Sequence, residues 1–437
     1  MFMGLVGSEM CIRDRSMSGV GFIQILRNNH SFRRLFIAQE LSYIGDWFTV
    51  IALFILAGEA SDNSPLAIAG VLATRSFSLA ALTPFTGMLA DRYSRKGLMI
   101  TSDFAACIVL GIVLQFDLLN NLSSVYFLAV AMVAAKSIFD PAQYAYLPNI
   151  CTDEELLTAN ALGSGGWSIA LGIGASIGGL TIATYGITTA LWIDALTFLV
   201  SAICIMTLPP GGPDISEREN ATPRVVTKEI TDGWKYILQN PEIRRLVIAK
   251  ALWSSGGGAQ IFLLILIGME AGFGDIAAGI GILFMARGFG SGFGPMAGRK
   301  LMTNKKLQPY LIGLAVGTSG IFYIIISFME WSNLLLLMIF ISHAASGFNW
   351  VQSTTLTQER AGDEWRGRVA GADFLALTFM MGTSAITAGY ILENEFLQLR
   401  EVIALSAIIQ IIMGIGWILF ASPREKEIFN QEPITSL

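Results

Sequence analysis

Twelve apolar runs, each about long enough to cross a lipid bilayer, follow one another along this chain with only short polar breaks between most of them. They fall near residues 35–57, 66–89, 98–119, 125–147, 161–184 and 188–208. After a longer polar segment they resume near 246–269, 277–298, 310–328, 334–356, 369–392 and 402–421. About 20 consecutive apolar residues in helical form span the ~30 Å of a bilayer's hydrocarbon core. In that medium every backbone N–H and C=O must be paired internally, so only helices and closed barrels can cross. Unbroken apolar runs, with no alternation of period two, select helices. Composition agrees: 14% of residues are charged, against roughly 25% in a soluble chain. The 27 Phe and 9 Trp exclude a solvated, disordered coil. The expected fold class is therefore an all-α membrane protein of twelve transmembrane helices. The net charge of −5 says nothing about partners, because in a membrane chain the placement of charge outweighs its sum.

Placement is informative. With the N-terminus set in the cytoplasm, 23 of the 28 Lys and Arg residues fall in cytoplasmic segments and one, Arg400, falls outside. The other four, Arg75, Lys136, Lys250 and Arg287, lie inside apolar runs. Such asymmetry predicts a multi-pass plasma-membrane protein, in a bacterium the inner membrane, with both termini cytoplasmic.

The chain also repeats itself. Asn29–Leu41 (NHSFRRLFIAQEL) matches Asn240–Leu252 (NPEIRRLVIAKAL) at an offset of 211, sharing Arg33/Arg244, Arg34/Arg245, Leu35/Leu246 and Ala38/Ala249. Arg75, Pro84 and Gly87 recur as Arg287, Pro295 and Gly298. An even number of spans per repeat gives both copies the same orientation, hence two parallel, pseudo-symmetric six-helix bundles. The expected division is an N-terminal half over 17–208, a central loop over 209–245, a C-terminal half over 246–421 and a cytoplasmic tail over 422–437. In the central loop Val226, Ile230, Trp234 and Ile237 share one helical face, as in an amphipathic helix at the membrane surface. Residues 1–16 are set aside as a non-native leader, because Leu5–Arg15 (LVGSEMCIRDR) resembles a translated sequencing-adapter artefact. No cleavable signal peptide is visible there.

Chemistry is sought among charges inside the runs, which are costly in lipid and usually pair or line a cavity. Asp46 and Arg75 fall near the bilayer middle on neighbouring spans. Two readings stand for them: a pair opened when the carboxylate is protonated, and a permanent structural salt bridge. Glu40, nearer the cytoplasm, shares the proton role. Arg287, the repeat mate of Arg75, suits an anionic substrate or steadies the second half. Lys136 and Asp140, four apart, are expected to pair with each other. Lys250 is expected to snorkel to the cytoplasmic surface, Asp194 to be hydrated, and His343 to be a packing residue. Trp47, Phe139, Trp167, Phe348 and Trp350 suit an aromatic-lined cavity for lipophilic ligands. The four cysteines are scattered singly, so neither a disulfide framework nor a zinc site follows. The glycine-rich stretches 254–258 and 288–294 lie in apolar runs with no lysine of a phosphate loop, and nothing calls for a cofactor or a nucleic-acid partner.

The loop Gly87–Leu98 (GMLADRYSRKGL) resembles the G-x-L-a-D-r-x-G-r-[RK] motif between the second and third helices of the major facilitator superfamily. Ser94 stands where that family prefers glycine. The openings NHSFRRLFIAQ, GDWF (45–48), FDPAQYAYLP (139–148) and DEELLTANAL are similar to the enterobactin-exporter and macrolide-efflux-like branch. The resemblance covers nearly all of residues 28–421. It implies that Gly87 permits close helix approach, that Asp91 holds an ion pair at the cytoplasmic gate, and that Arg92, Arg95 and Lys96 anchor the loop. Asp103 and Asp373 would join that gate by pairing with the basic cluster. Span 5 carries LGIGASIGG (171–179), similar to the antiporter motif of exporting members, with Gly174, Gly178 and Gly179 retained and Ala175 in place of proline. Close packing by small residues is the alternative reading of that stretch.

The expectation is a secondary active transporter, a proton-coupled exporter (antiporter) of small amphipathic or lipophilic molecules such as drugs or siderophore-like compounds. It would work by alternating access and as a monomer, its partners being substrate, protons and the bilayer. Uptake by proton symport and a non-transporting sensor or scaffold are the alternatives. An enzyme is disfavoured by two histidines, no clustered metal ligands and no nucleophile motif.

Overall fold

The computed structural model describes residues 20–211 and 223–431, save 303, 305 and 363. The leader, most of the polar linker after Pro209 and the last six residues lie outside the described residues. Among the described residues the chain is helical with no strand.

A short helix, α1 (Phe22–Asn28), precedes α2 (His30–Glu59), α3 (Pro65–Arg92), α4 (Arg95–Gln115), α5 (Leu122–Lys136), α6 (Phe139–Tyr146), α7 (Asp153–Tyr185) and α8 (Ile187–Met206). The central helix α9 (Pro223–Gln239) leads to α10 (Pro241–Glu270), α11 (Ile276–Met302), α12 (Gln308–Phe328), α13 (Leu334–Arg360), α14 (Arg366–Glu393), α15 (Leu399–Gly416) and α16 (Ser422–Gln431). With α5–α6 and α15–α16 each counted as one crossing, twelve segments are long and apolar enough to span a bilayer. Local chemistry sets their ends. Asn29 accepts a hydrogen bond from Phe32 N at 2.9 Å, capping α2, and Ser64 caps α3 from Ala67 N at 3.1 Å, with Pro65 in the first turn. Gly186, at φ +82°, makes the tight turn from α7 to α8.

The repeated segment begins both halves alike. Asn29 and Asn240 sit just before α2 and α10, and the side chain of Asn29 donates to Ile150 O (2.7 Å) and to Glu155 (3.0 Å), joining the starts of α2 and α7. Between the halves the pairing is reciprocal: α3 packs on α14 and α7 packs on α11, so the second helix of each half meets the fifth of the other. Bare backbone makes this possible. A Cβ on Gly288 of α11 would lie 2.5 Å from Gly172 N of α7, and one on Gly281 would lie 3.2 Å from Gly179 Cα. On the other seam the tilted rings of Phe77 and Phe379 meet at 5.5 Å, and Glu393 accepts from Ser64 Oγ at 2.6 Å and from Leu66 N at 3.3 Å. That carboxylate meets N–H groups of the first turn of α3, which have no partner within the helix. These seams lie away from the end that carries the basic loops.

Two regions differ from the sequence expectation. The apolar face of α9 is not a lipid-facing surface: Ile237 is buried with Ile243, Val247, Val369 and Ala372, and Tyr236 stacks on Trp365 at 4.6 Å. Protein covers this face because α10 and α14 bring their own apolar residues to the same end of the bundle; the side chain of Val226 lies outside the described residues. Residues 422–431 are not a free tail. They form α16, whose Glu425 is 1% exposed and bonds Arg245 (3.0 Å) and Arg360 (2.5 Å). One carboxylate thereby joins the starts and ends of three membrane helices.

The α7–α11 seam yields a direct check. A Cβ on Gly292 would lie 2.9 Å from Ser168 Cβ, shorter than the ~3.5–4.5 Å between the Cβ atoms of a disulfide, a gap that a small outward shift of either helix makes up. In a chain freed of its native cysteines, the double substitution Ser168→Cys, Gly292→Cys should cross-link on mild oxidation, read as a shifted band after proteolysis between the halves. Adding Gly288→Val should abolish the cross-link; its persistence would contradict this seam.

Candidate functional site

Both halves bury charge, and the N-terminal half carries a connected group. Lys136, at the end of α5, donates to Asp103 of α4 (3.1 Å) and to Ser42 of α2 (2.5 Å), and its ammonium stands 4.3 Å from the Phe139 ring centroid and 4.8 Å from that of Phe198. Asp103 takes a second hydrogen bond from Ser201 of α8 at 2.6 Å. Asp140 accepts from Tyr43 at 2.6 Å. The expected Lys136–Asp140 pair is therefore not the one formed, because the chain turns between α5 and α6 and breaks the i, i+4 geometry. Asp103 does not join a cytoplasmic gate: it is fully buried, and its partner is Lys136.

Asp46 and Arg75 face one another at longer range than a pair. Among the described residues neither makes a salt bridge within 4.0 Å. Asp46 lies in the fields of Lys136 and Arg75, and Arg75 in those of Asp46 and Asp194. The closed Asp46–Arg75 salt bridge is thus absent, since each cation serves more than one carboxylate. Asp194 is fully buried rather than hydrated, and accepts from Thr49 and Thr197. Gly45 makes room for it, because a Cβ there would sit 2.5 Å from Asp194 Oδ1. Glu40 lies one and a half turns earlier on α2. Its Oε1 is buried without a hydrogen-bond partner, over the bare backbone of Gly166.

The loop between α3 and α4 works as an anchor. Lys96 donates to Met206 O (2.8 Å) and Leu208 O (2.5 Å), and Arg95 donates to Ala145 O (3.1 Å). Cations thus satisfy carbonyls at the C-terminal ends of α8 and α6, where the helix dipole favours positive charge. Arg92 is exposed and stacks on Tyr93, and Asp91 is exposed. Gly87 is not a close-approach position, since a Cβ there would meet nothing within 4 Å. Asp373 belongs to a different pair. It accepts from Lys250 at 2.5 Å, and Lys250 is 2% exposed, beside Thr354 and under the Trp350 ring at 5.4 Å. Lys250 therefore does not snorkel; α14 supplies the countercharge inside the bundle. Just outside the spans, burial beside Glu155 pushes the Cys151 thiol up to about 12, leaving it inert as a nucleophile.

The small residues of α7 divide by face. A Cβ on Gly174 would lie 2.7 Å from Ile44 O and one on Gly178 3.1 Å from Phe48 Cα, both on α2, whereas Gly179 faces Ala277 and Gly281 on α11. Trp47 sits at the boundary of the halves, 5.6 Å from Phe284 of α11. Trp167 and Trp350 are partly buried. Phe139 is fully buried beneath Lys136, and Phe348 is buried with Leu311 and Ala315 against Gly298. These two are core residues, so neither lines an open cavity.

In the C-terminal half Arg287 of α11 stands beside Tyr323 of α12 and His343 of α13, whose side chains bond each other at 3.0 Å. That bond and its burial fit the packing role expected of His343. Sequence reasoning missed the Glu425 clasp, the Glu393 cap and the buried glutamine pairs Gln39–Gln143 and Gln260–Gln410. The only available signal was their place: polar residues interrupting apolar runs, or acids in segments read as loop.

The Lys136–Asp103 pair gives a stability prediction. Lys136→Ala strands a fully buried carboxylate and should cost about 3–5 kcal/mol, read as a lowered thermal midpoint in detergent. The double substitution Lys136→Met, Asp103→Leu should recover most of that loss; no recovery would show that the two residues act separately.

The sequence profile of the Major Facilitator Superfamily matches residues 35–385. The MFS-type transporter YfiS of Bacillus subtilis (strain 168) is 25% identical over 363 residues, which cover 80% of this chain and 83% of that protein. The multidrug efflux pump Tap of Mycolicibacterium fortuitum is 26% identical over 368 residues, covering 79% and 83%. The lysophospholipid transporter LplT of Yersinia pestis (strain Pestoides F) is 25% identical over 284 residues, covering 64% and 66%. Among solved structures, a POT family transporter in complex with 5-aminolevulinic acid superposes with a TM-score of 0.71 at 12% identity, over 93% of this chain and 98% of that one. The nucleoside transporter NupG superposes with a TM-score of 0.68 at 14% identity, over 89% and 98%; at such identities the likeness is one of fold. With the profile spanning most of the chain and twelve segments long and apolar enough to cross a membrane, this multi-pass membrane protein belongs to the Major Facilitator Superfamily.

Proposed function

We propose that the chain is a proton-coupled exporter of small amphipathic or lipophilic molecules, working as a monomer by alternating access between two six-helix halves. The observation that carries this reading is an imbalance of charge. Among the described residues the interior of the N-terminal half holds four carboxyl groups, Glu40, Asp46, Asp103 and Asp194, against two cations, Lys136 and Arg75. Ionised carboxylates that lack a countercharge are costly in a low-dielectric interior, so part of this set must hold protons or be open to them. Asp103 is committed to Lys136 and Ser201, and Asp194 to two threonines. Asp46 has no such partner, and it stands on the helix that α7 and α11 touch. It is the proton carrier in this reading, with Glu40 as the entry group toward the basic end of the bundle.

Arg75, between Asp46 and Asp194, couples the carrier to helix position: a neutral Asp46 releases the guanidinium toward Asp194, and an ionised one draws it back. The two seams supply the moving parts. Small residues from Gly172 to Gly179 let α7 slide on α2 and α11 without side chains locking. The anchored loop at Arg95 and Lys96 belongs to the cytoplasmic side, in keeping with the excess of basic residues there, and Asp91 and Arg92 act at its gate. Trp47, Trp167 and Trp350 provide apolar contact for cargo. The relatives Tap, a multidrug efflux pump, and LplT, a lysophospholipid transporter, support amphipathic cargo.

The test is transport into inverted membrane vesicles from a host stripped of its own exporters, using a panel of lipophilic dyes and amphiphiles. An imposed proton gradient should drive accumulation, and Asp46→Asn should reduce it to the level of vesicles without the protein. Gradient-driven transport by Asp46→Asn at the unsubstituted rate would overturn the assignment of Asp46. Accumulation indifferent to a protonophore would overturn proton coupling.

A further inference from the structure

The two halves solve the burial of charge differently. In the C-terminal half the other cations set among the helices have acid partners: Lys250 with Asp373, and Arg245 and Arg360 with Glu425. Arg287 does not. It makes no hydrogen bond or salt bridge among the described residues, and its Nε is buried with no acceptor. No carboxylate is among its neighbours in the described residues, which are the Phe284 ring at 5.5 Å, the Tyr323 phenol and the His343 imidazole. Next to these, one turn along α12 and α13, Ser319 lies 2.9 Å from the Ser342 hydroxyl and 3.3 Å from that of Ser346, adding further O–H groups and no carboxylate. Arg75, the repeat mate, has two carboxylates in range. A guanidinium carries five N–H donors and stays charged; at Arg287, which is part-buried, the buried Nε is left uncompensated and no protein acceptor meets the other donors among the described residues.

We propose that Arg287 is the recognition site for an anionic oxygen group of the cargo, a carboxylate or a phosphate, which supplies the acceptors this guanidinium lacks. The fork of the guanidinium matches either group through two parallel N–H···O bonds, which a lysine or a neutral donor does not reproduce. Phe284 connects the site to the seam, because the ring that stacks under Arg287 also packs on Trp47 of the other half. An anion seated at Arg287 is thereby sensed where α11 meets α2 and α7. The inference narrows the exporter reading above and rests on it for the word cargo: the N-terminal half takes the proton, and the C-terminal half takes the negative charge of the molecule that crosses.

Equilibrium binding tests it without any gradient. The full chain in phosphatidylcholine nanodiscs is dialysed against octyl phosphate, octanoate and octanol, with empty nanodiscs as the blank. Octyl phosphate or octanoate should bind and octanol should bind at least tenfold more weakly. Arg287→Gln should remove that preference, Arg287→Lys should retain part of it, and Arg400→Gln, at a cation that bonds the carbonyls of Ser327 and Met329, should leave it in place. Two competitors identify the source of the group: displacement by lauroyl lysophosphatidylglycerol points to a lipid headgroup, and displacement by 1-naphthoate to a soluble carboxylate. Equal binding of octanol and the anions, or unchanged anion binding by Arg287→Gln, would overturn the proposal. Thermal unfolding without ligand separates recognition from packing. Arg287→Met should unfold at or above the midpoint of the unsubstituted chain, because it removes an uncompensated charge. A fall as large as that of Lys136→Ala would make Arg287 structural and overturn the assignment. Because binding is read at equilibrium with no proton gradient, failure of proton coupling and failure of anion recognition give different results.

Discussion

Everything in this protein follows from the cost of leaving a charge or a backbone polar group unpaired in hydrocarbon. That cost makes each crossing a helix, and it also dictates how charged side chains are housed once the helices meet. Lys136 has a carboxylate, a hydroxyl and two aromatic faces around its ammonium. Lys250 has Asp373, Thr354 and the Trp350 ring. In both halves a lysine is held by partners from helices far apart in sequence, so each ion pair also ties the bundle together. Aromatic faces recur because they attract cations without demanding hydration.

The groups left outside these arrangements are the ones with work available to them. Asp46 and Arg75 sit in each other's fields without closing a pair, and Arg287 has no acid partner among the described residues. A structural role is best served by a closed pair, as at Asp103, whereas a group that must bind and release a proton or a ligand has to keep one state open. The division between the halves, acid excess in one and a lone cation in the other, is therefore more informative than any single residue.

Legibility in the sequence tracked the range of the interaction. The twelve crossings, the amphipathic α9 and the repeat of Asn29–Leu41 in Asn240–Leu252 rest on local patterns, and the helices appear within a few residues of the runs. The buried ions were legible as a set, because a charge in an apolar run is conspicuous. Their partners were not. Lys136 faces Asp103 instead of Asp140, Asp373 faces Lys250 instead of the basic loop, and a Cβ on Gly87 would meet open space while Gly45 and Gly288 are tightly enclosed. Rotation of each helix about its axis selects these contacts, and spans that are apolar all round carry no moment to reveal that rotation.

Hydropathy and the distribution of Lys and Arg were sufficient for fold class, helix count and the parallel arrangement of the halves, since the bilayer acts on each segment separately. Which charges pair, which aromatics are sealed in cores and which guanidinium stays without an acceptor depend on packing between segments 30 to 180 residues apart. Those choices are made by helix-to-helix fit, through bare glycine backbones and single hydrogen bonds, and this is information that no local stretch of the chain contains.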